Sequence, residues 1–312
     1  MDKIYINKDI VKSQVKPMNC VNNLPLFHSD VYDKYLKQLE IPYVRLHDSM
    51  FLNSKLVDIP AIFPDFDADV EDPNSYDFTF TDYYINQIIS LNSKPFFRLG
   101  VSIENYQYLK AYYIHPPKDN LKWAKICEHI IAHYNKGWAD GFHYDIEYWE
   151  IWNEPDNYPD IKDNQMWKGT FEQYLELYEI ASNYLKNKFP EIKIGGYASC
   201  GFYYILEQKT SKQANASSRT EYFVECFEKF LEYISSDEHK SPLDFFSWHS
   251  YSDVKSNIKY TIYAREMLYK YGFKDAENIL NEWNPGIYDR GTLKDASNIC
   301  ANMLTLQQFG LD

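Results

Sequence analysis

The chain has 312 residues, with 45 Asp and Glu against 32 Lys and Arg, so its net charge of −13 opposes binding to nucleic-acid phosphate or an anionic membrane. A charged fraction of 25% beside a hydrophobic fraction of 45% is ordinary for a soluble globule and excludes disorder as the overall state. No run approaches the roughly 20 apolar residues of a membrane span. The charged N-terminus lacks a signal-peptide core, which leads us to expect a cytoplasmic protein.

Short β-rich runs alternate with amphipathic helical patterns along the whole chain. The runs cover 16–21, 43–47, 95–101, 146–152, 192–196, 243–249 and 278–283. The helical stripes between them are Val31/Tyr35/Leu39, Tyr84/Ile88/Ile89, Trp123/Ile126/Ile130/Tyr134 and Phe171/Tyr174/Tyr178/Ala181/Leu185. Phe223/Phe227/Phe230/Ile234 and Ile262/Met267/Leu268/Tyr271 follow, with a last helix near 295–308. Alternation of β and α over this length predicts parallel strands, in a barrel or a doubly wound sheet. No GxGxxG follows the first run and no GxxxxGK[ST] occurs, so the usual nucleotide sites of open sheets are missing. Polar residues gather instead where runs end: Arg45, His47, Glu104, Asn153, Glu154, His249 and Glu282. In a (β/α)8 TIM barrel those ends converge on one mouth. The expectation is a single barrel over 1–312. Only seven runs are present, so the eighth strand should be missing or curtailed.

Two strand ends carry the strongest chemical signal. One is Trp149-Glu150-Ile151-Trp152-Asn153-Glu154-Pro155, where the proline stops the strand just after a glutamate. The other is Leu280-Asn281-Glu282-Trp283-Asn284-Pro285. Either glutamate alone is equally compatible with a solvated strand end, but two on separate strands of one barrel point to a carboxylate pair. Poor solvation beside Trp149 and Trp152 would raise the pKa of Glu154 and suit it to general acid work. An aromatic fraction of 18%, with 29 Tyr and 7 Trp, suits a flat-faced neutral substrate such as a sugar; genome base composition would produce similar usage.

These motifs resemble the catalytic signature of clan A retaining glycoside hydrolases. The chain is most similar to glycoside hydrolase family 39, the family of β-xylosidases and α-L-iduronidases. Further stretches carry the resemblance: 43–48, 76–78, 94–100, 116–119 and 244–249. It implies Glu154 as acid/base and Glu282 as nucleophile in a double displacement, with their carboxyl groups roughly 5–5.5 Å apart. It also implies Asn153 on the sugar 2-hydroxyl, Tyr251 on the nucleophile and His249 on substrate. Arg45 would keep Glu282 ionised, and His47 would contact the glycone. Trp283 and Trp152 are candidate stacking platforms, and core packing would serve them equally. Family members continue through an eighth strand, which this tail does not match. The implied substrate is an oligosaccharide or glycoside cleaved in β-xylosidase-like fashion, with no cofactor and no metal.

Two other functions fit parts of the pattern. A non-catalytic carbohydrate-binding barrel would need neither glutamate, and a metal-dependent barrel hydrolase would use His47, His249 and the carboxylates. His129 and His133 are spaced as in a zincin helix, but the glutamate that motif requires is Ile130. The acidic stretch 65–69 begins like a calcium loop, yet Val70 and Tyr76 stand where Gly and Glu belong, so it reads as a solvated turn. The polar run 207–220, which includes a chance sequon at Asn215, would be a long loop at the mouth. The five cysteines contain no CxxC pair and should be reduced thiols. Nothing in the sequence specifies an oligomeric state.

Overall fold

The computed structural model describes residues 9, 14–25, 29–48, 50–51, 54–55, 57–103, 113–208, 217–284 and 286–312. Glu104, Asn215 and most of the run 207–220 lie outside these. Seven parallel strands pair in chain order: β1 (Val21–Asn22), β2 (Tyr43–Leu46), β3 (Lys94–Leu99), β4 (Tyr148–Ile151), β5 (Lys193–Ser199), β6 (Phe245–Ser250) and β7 (Glu277–Trp283). The helices between them are α1 (Asp30–Leu39), α2 (Thr79–Ser90), α3 (Asn120–Lys136), α4 (Phe171–Lys188), α5 (Ser218–Ser235) and α6 (Val254–Lys270), with α7 (Leu293–Leu306) after β7. No helix among the described residues is long and apolar enough to cross a membrane.

Every predicted strand forms, but the first shrinks to two residues because it sits at an edge and pairs only with β2. β1 and β7 approach each other without pairing. The described sheet is therefore a (β/α)8 TIM barrel short of one strand, with an unsealed seam where the eighth would lie. A cavity of about 820 Å³ follows this seam, lined by Met18 and Val21 on one side, Leu280 and Trp283 on the other, and Ile299, Met303 and Leu306 of α7. Leu311 is buried beneath it, and the Asp312 N–H donates to the Asn278 carbonyl at 3.0 Å.

Period-2 alternation sorts the strand side chains. Val44, Leu46, Phe97, Leu99, Trp149 and Ile151 are fully buried in the main core between strands and helices. Phe96, Tyr148 and Phe245 instead point inward and plug the lower barrel, with Phe96 stacked on Tyr148 at 5.0 Å. Full burial of such a ring contributes roughly 1.5–3 kcal/mol, and of the three only Phe245 is wholly buried. Gly195 lets β5 pass close to β6, since a Cβ there would lie 2.1 Å from the Phe245 carbonyl oxygen. With the lower interior filled by aromatics, the polar residues collect at the opposite, C-terminal mouth.

The helical stripes on α3, α4 and α5 are buried as their periodicity predicts. α1 departs most, though Ile262 of the α6 stripe is exposed as well. It turns Leu36 to the core and leaves Val31 (64% exposed), Tyr35 and Leu39 to solvent. Periodicity found the helix but not its buried face.

Candidate active site

Glu282 stands on β7, and the β6–β7 register sets it directly beside His249. Its Oε1 accepts a hydrogen bond from the Tyr251 hydroxyl. Its Oε2 faces Arg45 Nη1 at 3.4 Å, His47 Nε2 at 3.4 Å and His249 Nε2 at 3.7 Å. Burial alone would raise its pKa, but His249, His47 and Arg45 outweigh that and hold it at about 2. This carboxylate is ionised at any working pH.

Glu154 follows β4 through a sharp turn. Trp152 and Glu154 both adopt left-handed backbone, with φ of 70° and 47°, a conformation uncommon outside glycine. Backbone hydrogen bonds anchor the turn on both sides, from Trp152 N to the Leu99 carbonyl at 2.7 Å and from Glu154 N to the Tyr197 carbonyl at 3.2 Å. The Glu154 carboxylate lies 2.7 Å from His249 Nδ1 and accepts from Asn157 Nδ2 at 2.8 Å.

Trp149 and Trp152, expected around the Glu154 carboxyl, are both buried in the core. Trp152 is 1% exposed, packs edge-on against Trp167 and donates its indole N–H to the Met166 carbonyl, so it is a core residue and not a stacking platform. Burial still pushes the Glu154 pKa up, but the hydrogen bond and charge of His249 bring it below the usual value. His249 moves the other way: burial disfavours its charge, yet Glu282 and Glu154 together raise its pKa. His249 thus lies between the two carboxylates, 2.7 Å from Glu154 and 3.7 Å from Glu282.

Beneath this pair lies a layer that motif reasoning missed. Glu150, fully buried, accepts from Arg45 Nε at 2.8 Å and Nη2 at 2.7 Å through one oxygen, and from Asn281 Nδ2 at 2.6 Å through the other. Arg45 Nη2 also donates to Asn153 Oδ1 at 2.6 Å. A signal for Glu150 was available: alternation in β4 turns it inward with Tyr148, and a carboxylate inside a barrel demands partners. Asn157 and Asp48 were missed as well; Asp48 sits 3.2 Å from His47 Nε2 and accepts from the Ile103 N–H at 2.8 Å. No motif marks either one.

The structure thus brings Arg45, His47, Asn153, Glu154, His249, Tyr251 and Glu282 to one mouth. Trp283 is partly buried and lines the seam cavity. His129 and His133 bind separate partners, a backbone carbonyl with Glu71 and a backbone carbonyl with Asp82, and share no site. The acidic turn is capped by its own residues, with Asp65 accepting from the Asp67 N–H. All five cysteines are free. Ligand atoms of Glu154, His249 and Glu282 lie within 4.8 Å of one another, close enough for one cation. Arg45, 3.4 Å from the same Glu282 oxygen, places a fixed positive charge where that ion would sit.

A parallel barrel with one glutamate after β4 and a second on β7, bridged by a histidine from β6, has the layout of the retaining glycoside hydrolases of clan A. The profile described as "Glycosyl hydrolases family 39" matches residues 5–285. The chain belongs to glycosyl hydrolases family 39. It is 25% identical to a β-xylosidase of Geobacillus stearothermophilus over 222 residues, 68% of this chain and 38% of that protein. To a β-xylosidase of Caldicellulosiruptor saccharolyticus it is 28% identical over 184 residues, 55% of this chain and 33% of that one. It therefore spans well under half the length of these curated relatives. Among solved structures, a glucosidase from Croceicoccus marinus superposes with a TM-score of 0.70 at 26% identity, covering 91% of this chain and 54% of that one. A family 39 β-xylosidase from Caulobacter crescentus shares the fold with a TM-score of 0.59 at 18% identity, covering 93% and 60%.

Proposed function

We propose that this protein is a retaining glycoside hydrolase acting on β-xylosides by double displacement. The observation that carries this reading is the carboxylate pair, with one oxygen of each lying within 4.8 Å of the other. A close pair of this kind is the arrangement expected of a retaining enzyme rather than an inverting one. Glu282, kept ionised by its cationic neighbours, attacks the anomeric carbon as the bond to the leaving oxygen breaks, forming a glycosyl ester. The leaving oxygen takes a proton from Glu154, which lies 2.7 Å from His249 Nδ1. The negative charge of Glu282 works against the lowering of the Glu154 pKa by His249. Once Glu282 is esterified that charge is gone, and Glu154 becomes the base that deprotonates water in the second step. Asn153, its oxygen held by Arg45, directs its amide N–H toward the sugar 2-hydroxyl. The β-xyloside assignment is supported by the names of the two sequence relatives.

The two carboxylates should fail differently when removed. Glu282→Ala should be nearly inactive on every aryl glycoside, with azide restoring turnover to a product of inverted configuration. Glu154→Ala should lose far less rate on substrates whose leaving group needs no proton. A panel of nitrophenyl xylosides, glucosides, galactosides and arabinosides measures both and ranks the sugars. An inverted first product from the wild-type enzyme by NMR would refute the mechanism.

A further inference from the structure

We propose that Glu150 is the positioning residue of this site, a buried carboxylate that aims both Arg45 and Asn281. The inference rests on the glycosidase reading and extends it below the reacting groups. Glu150 is fully buried on β4, and both of its oxygens are committed, one to Arg45 of β2 and the other to Asn281 of β7. One side chain therefore ties together three strands that are not all neighbours in the sheet.

The consequence lies in what each clamped group does next. Arg45 is gripped at Nε and Nη2, which leaves Nη1 facing Glu282 at 3.4 Å and Nη2 free to bond Asn153 at 2.6 Å. An arginine not held in this way would close on Glu282 as a two-pronged ion pair, because guanidinium matches carboxylate geometry bidentately. Such a pair would tie up the lone pairs that must attack carbon. Glu150 keeps the guanidinium near enough to stabilise the negative charge and too far to smother it. Asn281 immediately precedes Glu282, so its clamp fixes the β7 backbone that carries the nucleophile. Through Arg45, the same carboxylate also orients the Asn153 amide.

The test is Glu150→Gln, which keeps the shape but sets an amide donor against a donor. With an aryl β-xyloside, kcat should fall about 100-fold while KM stays within about threefold, the signature of misplaced reacting groups. The rate advantage of a 2-hydroxy over a 2-deoxy glycoside should shrink as Asn153 loses its anchor, an effect that a purely structural role would not produce. The crystal structure of the variant should show Arg45 closed onto Glu282. A kcat within about threefold of wild type, or Arg45 and Asn281 unmoved in the crystal, would overturn the proposal. Should the glutamine variant not fold, Asn281→Ala leaves the buried ion pair intact and should lower kcat by a smaller factor with KM unchanged; full activity in that variant would count against the clamp. Absence of turnover by the wild-type enzyme on every glycoside would sink the glycosidase reading, whereas the position of Arg45 in the variant crystal judges the clamp separately.

Discussion

Asp156 lies two residues beyond Glu154, fully buried, with its carboxyl accepting from Ser199 Oγ at 3.1 Å and from the Cys200 N–H at 3.2 Å. Burial, helped by the charge of Glu154, pushes its pKa up to about 7 from 3.8. The folded protein therefore holds a proton that the unfolded chain gives up near pH 4. Stability from this group is complete below about pH 4, falls as pH rises toward 7, and is level above that. At 1.36 kcal/mol per pKa unit, the ceiling on the loss is on the order of 4 kcal/mol. Glu282 works in the opposite sense: its depressed pKa contributes stability above its ordinary value of 4.5, which is lost as pH falls toward about 2. Asp156→Asn should flatten the neutral part of the profile. Its urea midpoint should gain on the wild type between about pH 5 and pH 8, and parallel midpoints across that range would contradict the assignment.

Most of the helices were legible from apolar residues at helical spacing, and several also start with a side-chain cap. α4 begins with a capping box in which the Thr170 hydroxyl accepts from the Gln173 N–H and the Gln173 side chain accepts from the Thr170 N–H. Its stripe then packs on β4, and the Tyr174 hydroxyl donates to the Ile151 carbonyl at 2.9 Å, just below the catalytic turn. Thr170→Ala removes the cap without touching that stripe. It should lower stability by about 1 kcal/mol in equilibrium denaturation while leaving kcat unchanged. The strand ends were legible for a similar reason, since Pro155 stops the chain right after Glu154. The layer under the catalytic pair was not. Arg45, Glu150 and Asn281 lie on β2, β4 and β7, and only barrel curvature brings them together. No spacing along the chain encodes that contact. The Glu154 environment escaped for a related reason: its neighbour in space is His249 of β6, not the tryptophans beside it in sequence.

A fully closed barrel has no ends, so loosening any one strand must break ladders on both of its sides. With the seam unsealed, the described sheet behaves as a split ring that can unzip from either lip. β4 is the centre of this row and β1 and β7 are its ends. Of the two glutamates at the mouth, Glu154 therefore follows the best-guarded strand and Glu282 stands on an outermost one. Amide hydrogen exchange of this 312-residue chain should be slowest in β4 and quicken stepwise toward β1 and β7. In low urea β7 should open first, so turnover should vanish at a denaturant concentration where the signals of Trp149 and Trp152, buried beside β3 and α3, are still native. Loss of activity and tryptophan fluorescence along one shared curve would instead mean that the split ring melts as a single unit.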